Sequence, residues 1–158
     1  MAKIILGLDP GIADTGYGVI EVCGNKLKCL KYGSIKTSSK DDFSDRLEQL
    51  DNSLQKIISQ YQPGLVSIEK LFFNTNAKTA LIVGQARGVL LLCVKKNKVK
   101  LIEFTPLQIK QSVTNFGRAD KKQVQTMVKL ILNLKEIPHP DDAADALAAA
   151  ICASNLKI

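Results

Sequence analysis

The length, composition and charge of the chain limit what kind of protein it can be. Its 158 residues, 46% of them hydrophobic and 23% charged, suit a soluble globular protein with one domain, residues 1–158. The N-terminus lacks the features of a secretory signal, and the longest apolar segment, residues 81–94, is shorter than the ~20 residues of a membrane span. We therefore expect a cytoplasmic protein without a membrane partner.

The first half of the chain predicts three strands followed by a helix. Residues 3–9, 16–23 and 26–37 are rich in apolar and β-branched side chains, and a Gly-Asn turn joins the last two segments. In residues 43–61 apolar side chains recur every three or four positions, which is the period of a helix with one buried face. Three strands in direct succession predict an antiparallel meander.

The second half alternates strands with helices. The predicted strands are 65–69 and 100–104, and the predicted helices are 77–96, one that begins at Thr105-Pro106, 120–132 and 141–155. A meander followed by this alternation predicts an α/β fold with a mixed five-stranded sheet, three antiparallel strands plus parallel ones, flanked by helices.

The helix predicted at 77–96 has an unusually smooth face. Ala80, Gly84 and Gly88 are spaced by four residues and leave a ridge without large side chains. Either the sheet or the same helix of a second subunit packs closely there.

Acidic residues stand where two predicted strands end. Asp9 follows “IILGL” and Glu69 follows “LVSI”. If a helix joins the meander to the fourth strand, these strands run parallel and their carboxyl ends share one edge of the sheet. On the last helix Asp142 and Asp145 are three residues apart and face one direction, although Asp141, four residues before Asp145, competes with Asp142.

Each acid alone has an ordinary structural explanation. Asp142 suits a helix N-terminus, Asp9 suits a turn, and Glu69 suits an exposed strand end. A group of three or four carboxylates, however, would repel unless a cation joined them. Mg²⁺ prefers oxygen ligands, and two such ions ~4 Å apart can assist phosphodiester hydrolysis. The acids together favour a metal-dependent nuclease.

Basic residues concentrate in one part of the chain. Residues 95–122 contain two acids and eight basic residues: Lys95, Lys96, Lys98, Lys100, Lys110, Arg118, Lys121 and Lys122. The excess predicts contact with a polyanion such as nucleic acid, while a solvated lysine-rich face remains the alternative.

Four segments carry a resemblance to a known family: “LGLDPGIADTGYGVI”, “IEKLFFNTNAKTALIVGQARGV”, “FTPLQIKQSVTNFGRADKKQVQTMV” and “DDAADALAAAI”. In order and over nearly the whole chain, they closely resemble the RuvC family of bacterial Holliday junction resolvases. The resemblance implies a ribonuclease-H-like fold, a homodimer, and four acidic metal ligands with catalytic roles at Asp9, Glu69, Asp142 and Asp145.

The resemblance also implies the reaction and its partners. Family members use Mg²⁺, or Mn²⁺, to activate water, and two ions per site are expected. Paired symmetric nicks in a four-way junction leave 5′-phosphate and 3′-hydroxyl ends, in cooperation with the branch-migration proteins RuvA and RuvB.

Further residues match the family at positions that contact DNA or a second subunit. Phe72, Lys110 and Lys121 match DNA-facing positions, and Arg118 and Lys122 are their neighbours. The ridge of the helix at 77–96 corresponds to the dimer interface, where Arg87 would join Ala80, Gly84 and Gly88 or contact a phosphate.

Two other functions remain open at this level. A non-catalytic module of the same fold would bind junctions without cutting them. The glycine-rich turn after Asp9 is also similar to that of actin-like ATPases and sugar kinases, although the chain is short for their second domain.

Overall fold

The computed structural model describes residues 2–71 and 76–156. Within these ranges the chain forms five strands and five helices. The strands are β1 (Lys3–Asp9), β2 (Asp14–Cys23), β3 (Lys26–Lys36), β4 (Leu65–Glu69) and β5 (Lys100–Phe104). The helices are α1 (Phe43–Tyr61), α2 (Ala77–Lys96), α3 (Pro106–Thr114), α4 (Lys121–Ile131) and α5 (Asp141–Ser154).

The strands form one mixed sheet in the order β3-β2-β1-β4-β5. The first three strands pair antiparallel, as the meander predicts, and β4 joins β1 in parallel with Leu8 opposite Ile68. Strand β5 extends the sheet in parallel beside β4. The predicted mixed five-stranded sheet is confirmed, and β1 and β4 end side by side.

Helices cover both faces of the sheet. Leu6 and Leu8 of β1 pack with α1 and α2 in one core cluster. Ile5 and Leu65 belong to the other cluster, which α3, α4 and α5 complete. Because successive side chains of a strand point to opposite faces, every second residue of β1 and β4 faces α5.

The boundaries of strands and helices predicted from local sequence signals agree closely with those in the structure. Strand β2 begins at Asp14, two residues before the predicted start. Thr105 and Asp120 form capping boxes with Gln108 and Gln123, and these boxes fix the starts of α3 and α4.

Helix α2 is longer than the apolar segment 81–94, which the sequence analysis judged too short to span a membrane. It is 20 residues long and, by length and composition alone, long and apolar enough to cross a membrane. Core helices of soluble proteins share these properties, and Ala86, Leu90 and Cys93 of α2 pack in the core cluster with α1. Leu81 and Leu92 of the same helix are exposed, so part of its apolar surface is uncovered in a single chain.

Candidate metal and nuclease site

Asp9 and Glu69 lie on the face of the sheet that packs against α5. Gly7 of β1 and Ser67 of β4 face α5, and the Ser67 hydroxyl donates a 2.7 Å hydrogen bond to the Ala149 carbonyl. Asp9 and Glu69 lie two residues further along their strands and therefore point to the same face. Both carboxylates are partly buried beside the N-terminal turns of α5.

Glycines in the neighbouring strands β1 and β2 let α5 approach the sheet closely. A Cβ atom on Gly7 would lie 1.9 Å from the Ala146 carbonyl oxygen, and one on Gly16 would lie 1.9 Å from the Asp142 carbonyl oxygen. Gly16 is paired with Asp9 across the β1–β2 ladder. The glycines therefore bring the first turn of α5 against the strand end that carries Asp9.

Three of the predicted acids meet at this contact. Carboxylate oxygens of Asp9, Asp142 and Asp145 lie within 4.8 Å of one another. Glu69 shares a cavity with Asp145, and its charge also acts on Asp9. The fold thus brings Asp9, Asp142 and Asp145 into one close group, while Glu69 lies outside that group and borders it across the shared cavity.

The electrostatics of the cluster show that it is short of positive charge. Burial, then the charges of Asp145, Asp142 and Glu69, raise the pKa of Asp9 to about 8. Burial and the Asp145 charge raise the pKa of Glu69, although Lys110 opposes the shift. Burial also raises the pKa of Asp145, against the lowering effect of Lys121.

Two lysines border the cluster. Lys121 Nζ lies 3.4 Å from a carboxylate oxygen of Asp145 and 3.4 Å from one of Asp141. Desolvation lowers the pKa of Lys121, but the two acids more than offset it, so the net shift is upward. Lys110 and Lys121 line, with Glu69 and Asp145, a cavity of about 260 Å³.

Asp141 and Asp142 have different surroundings. The Asp141 side chain is 58% exposed, and besides Lys121 it accepts a 3.1 Å hydrogen bond from the Gln125 amide. Asp142, by contrast, belongs to the close group with Asp9 and Asp145. The geometry agrees with the preference for Asp142 over Asp141.

The remaining predicted DNA contacts lie near the site or outside the described residues. Arg118, in the turn between α3 and α4, is exposed, and so is Lys122 on the first turn of α4. Phe72 lies outside the residues that the structure describes.

On α2 the smooth ridge faces away from the sheet. A Cβ atom on Gly88 would meet nothing within 4 Å, and one on Gly84 would come no nearer than 3.7 Å to Leu71. The sheet therefore does not account for the ridge. Ala80 is partly exposed, while Arg87 turns inward and its guanidinium lies 2.6 Å from the Glu103 carboxylate.

Sequence reasoning missed two prominent residues of this helix. Leu81 and Leu92 are 63% and 55% exposed beside Gly88 and enlarge the apolar surface of α2. Their spacing could have revealed them, because Leu81 lies seven residues before Gly88 and Leu92 four residues after it, on the same helix face.

The donor set suits a hard divalent cation. The four acids offer only carboxylate oxygens, and the described part of the chain places no histidine or cysteine in the group of Asp9, Asp142 and Asp145. Oxygen-only sites select Mg²⁺, Mn²⁺ or Ca²⁺ over softer ions. The raised pKa of Asp9 is what a cation at this position would reverse.

Comparison with known proteins identifies the family. A family model described as crossover junction endodeoxyribonuclease RuvC matches residues 5–153. RuvC of Ruminiclostridium cellulolyticum is 57% identical over 152 residues, which cover 96% of this chain and 92% of that protein. RuvC of Halothermothrix orenii is 55% identical, with 96% and 92% of the two chains covered.

Solved structures give the same answer. The structure of Thermus thermophilus RuvC has a TM-score of 0.87 at 34% identity, and the alignment covers 94% of this chain and 92% of that one. A structure of the same T. thermophilus protein in complex with Holliday junction substrate has a TM-score of 0.90 at 33% identity, with 95% and 92% covered. The fold is thus ribonuclease-H-like, and the chain belongs to the RuvC family of crossover junction endodeoxyribonucleases.

Proposed function

We propose that this chain is a metal-dependent endonuclease that resolves four-way DNA junctions in recombination and repair. The observation that carries the proposal is the convergence of Asp9, Asp142 and Asp145, whose carboxylate oxygens lie within 4.8 Å of one another, with Glu69 beside them. Family membership and the likeness to a T. thermophilus RuvC bound to Holliday junction substrate support the choice of substrate.

The four acids are proposed as the ligands of Mg²⁺, with Mn²⁺ as a substitute and two ions per site. When bound, such ions activate water and stabilise the charge that develops on the phosphate. Asp9 and Glu69 stand at the ends of neighbouring strands, and Asp142 and Asp145 stand on a helix packed against them. Because rigid elements hold all four, the carboxylates are already oriented before the substrate arrives.

The two lysines of the cavity have a proposed role on the DNA side. Lys121 is paired with both Asp145 and Asp141. With a divalent ion held by Asp145, Lys121 would be able to bind a phosphate oxygen of the DNA. Lys110 lies on the same cavity wall and would neutralise a neighbouring phosphate, as would the exposed Arg118 and Lys122.

Each chain would cut one strand, and a homodimer would cut two. The uncovered apolar surface of α2, with Leu81 and Leu92, supports a dimer through this helix. We propose paired symmetric nicks that leave 5′-phosphate and 3′-hydroxyl ends. We also propose that residues 1–158 act as one nuclease domain in the cytoplasm, in cooperation with RuvA and RuvB.

Cleavage of a synthetic four-way junction tests this function. The wild-type protein should cut the junction with Mg²⁺ and should lose activity in EDTA. Asp9→Asn should bind the junction with unchanged affinity and cut it at least ~100-fold more slowly, because it removes one anionic oxygen from the centre of the cluster.

Linear duplex of the same sequence serves as the substrate control. Cutting by Asp9→Asn at the wild-type rate would remove the carboxylate assignment. Tight junction binding by the wild-type protein without any Mg²⁺-dependent cutting would indicate the non-catalytic alternative.

A further inference from the structure

The turn between α3 and α4 presents an aromatic side chain that the proposed mechanism does not use. Phe116 lies directly after Asn115, the C-terminal cap of α3, and 55% of its surface is exposed. A single exposed apolar residue is common on protein surfaces. Phe116 differs because of its rigid support, the cavity beside it and the charges around it.

Hydrogen bonds within the backbone and to the Thr114 hydroxyl define the conformation of this turn. Asn115 adopts a left-handed conformation with φ 58°, and its N–H donates to the Gln111 carbonyl at 2.9 Å. The Phe116 N–H donates to the Thr114 hydroxyl at 3.1 Å, and the Phe116 carbonyl accepts from the Ala119 N–H at 3.1 Å. The ring is therefore presented by a fixed backbone.

Phe116 forms one wall of an open and mostly apolar cavity of about 430 Å³. The cavity lies between the end of α3 and the first turns of α4, and its other walls include Thr114, Ala119, Lys122, Gln123 and Met127. Its volume falls in the range of small-molecule binding sites. The space suits a flat heterocycle that stacks on the ring.

The charges around this cavity indicate what its occupant is. Lys122 lines it, and the preceding residue, Lys121, lines the cavity that holds Glu69 and Asp145. Arg118 is exposed in the same turn. The one acid of the cavity wall, Asp120, is engaged as the cap of α4 and accepts a 2.8 Å hydrogen bond from the Gln123 N–H.

An aromatic face beside basic side chains is the arrangement with which proteins bind unstacked nucleotides. We propose that this cavity takes one unstacked nucleobase of the DNA strand that enters the carboxylate site, with Phe116 against its face and Lys122 near a flanking phosphate. The inference rests on the proposed function, since it needs junction DNA at the carboxylates. Where the arms of a four-way junction are held apart at the crossover, the terminal base of an arm lacks a stacking neighbour, so its transfer to a protein aromatic costs less than it would in a continuous duplex.

A double-mutant cycle between protein and DNA tests the stacking contact. All proteins carry Asp9→Asn so that junctions stay intact in Mg²⁺, and affinity is measured by fluorescence anisotropy. Phe116→Ala should weaken junction binding at least roughly fivefold, and Phe116→Trp should keep it. Leu130→Ala, which truncates another apolar side chain with 62% exposure on α4, should have no effect.

The DNA side of the cycle is a scan of abasic sites along the strand near the cut position. At one position, an abasic site should weaken junction binding by the Asp9→Asn parent about as much as Phe116→Ala does. The same abasic site should not weaken binding by the Phe116→Ala protein any further. Additive effects at every position, or equal affinities of Phe116→Ala and its parent, would overturn the inference.

Failure of the inference and failure of the proposed function give different results. If wild-type protein cuts junctions while the cycle shows no coupling, only the stacking site is wrong. If wild-type protein neither prefers nor cuts junctions, both are wrong. A Phe116→Ala protein that keeps its junction affinity but loses its dimer would assign the cavity to a protein contact and overturn the nucleobase site.

Discussion

At the scale of single residues, the acid cluster is a group that the fold holds together at an energetic cost. Asp9, Asp142 and Asp145 approach closely with Lys121 as the cation that contacts Asp145 among the described residues. Like charges in a partly buried site favour protonation, and the pKa of Asp9 accordingly rises to about 8. Because these carboxylates repel one another in a partly buried site, binding of a divalent cation would stabilise the folded state.

The raised pKa of Asp9 predicts a pH-dependent stability of the metal-free protein. Between about pH 4 and pH 8 the folded chain keeps a proton on Asp9 that the unfolded chain has released. The folded state therefore binds more protons, and this group's contribution to the free energy of unfolding is lost as pH rises through that window.

Asp9→Asn removes this titration and provides the comparison. In EDTA the wild-type protein should match the variant in urea-unfolding free energy at about pH 4 and become progressively less stable than it toward pH 8. The limiting slope is ~1.4 kcal/mol per pH unit. Mg²⁺ should restore the wild-type protein and leave the variant almost unchanged. A constant difference between the two proteins across this range would show that Asp9 titrates as an ordinary exposed acid.

At the scale of elements, the site depends on how closely α5 lies on the sheet. The helix buries seven alanines against the strands and against α3 and α4: Ala143, Ala144, Ala146, Ala148, Ala149, Ala150 and Ala153. Small residues on both sides of this contact allow the backbones to meet. The separation between Asp9 and Asp142 is thus set by glycine and alanine at the sheet–helix contact, and not by the acids themselves.

Gly16→Ala should disturb this contact at the site. Its added methyl would lie 1.9 Å from the Asp142 carbonyl oxygen, so either β2 or the first turn of α5 must move. We expect a loss of ~1–3 kcal/mol or more in the free energy of unfolding, measured in urea. We also expect junction cleavage to fall well beyond the loss of folded protein, because Asp142 moves with the helix.

Gly64→Ala is the matched control for this substitution. A methyl group there meets nothing within 4 Å, and the Gly64 N–H keeps its hydrogen bond to the Ile4 carbonyl. Its stability and cleavage should stay close to wild type. Equal behaviour of the two alanine variants would mean that the α5 contact does not determine the geometry of the acids.

The sequence predicted the elements better than it predicted their contacts. Hydrophobic period, capping residues and turn signals depend on neighbours in the chain, so the bounds of α1, α2 and β5 follow from local information. The strand-end positions of Asp9 and Glu69 also follow from local patterns combined with the parallel-strand rule. These signals suffice to bring Asp9 and Glu69 to one edge of the sheet.

Contacts between distant segments have no local signal. Gly16 packs closely against the backbone of Asp142, and Arg87 forms an ion pair with Glu103. Both contacts join residues far apart in the chain, and only the packed structure shows them. Arg87 illustrates the point, because its position on the smooth helix suggested an interface or phosphate contact. Its side chain is 13% exposed and turned toward β5.

At the scale of the whole molecule, the helices on the two faces of the sheet carry different functional surfaces. Helices α3, α4 and α5 cover the face that carries the acids and lysines, and α1 and α2 cover the other. On the second layer α2 leaves Leu81 and Leu92 exposed beside Gly88, where an added Cβ atom would meet nothing within 4 Å. In the described part of the chain, one layer thus carries a carboxylate site and the other an apolar surface that a second copy could cover.

Charge placed on that surface should separate the proposed dimer. Leu92→Glu buries a carboxylate in the interface, so size-exclusion chromatography with light scattering should show a monomer where the wild-type protein shows a dimer. Because one chain holds one site, the monomer should make unpaired nicks in a four-way junction and few symmetric paired cuts. Leu130→Glu places the same charge at a leucine of similar exposure, 62% against 55%, on α4 and should remain dimeric. A Leu92→Glu protein that stays dimeric and cuts both strands would place the interface elsewhere.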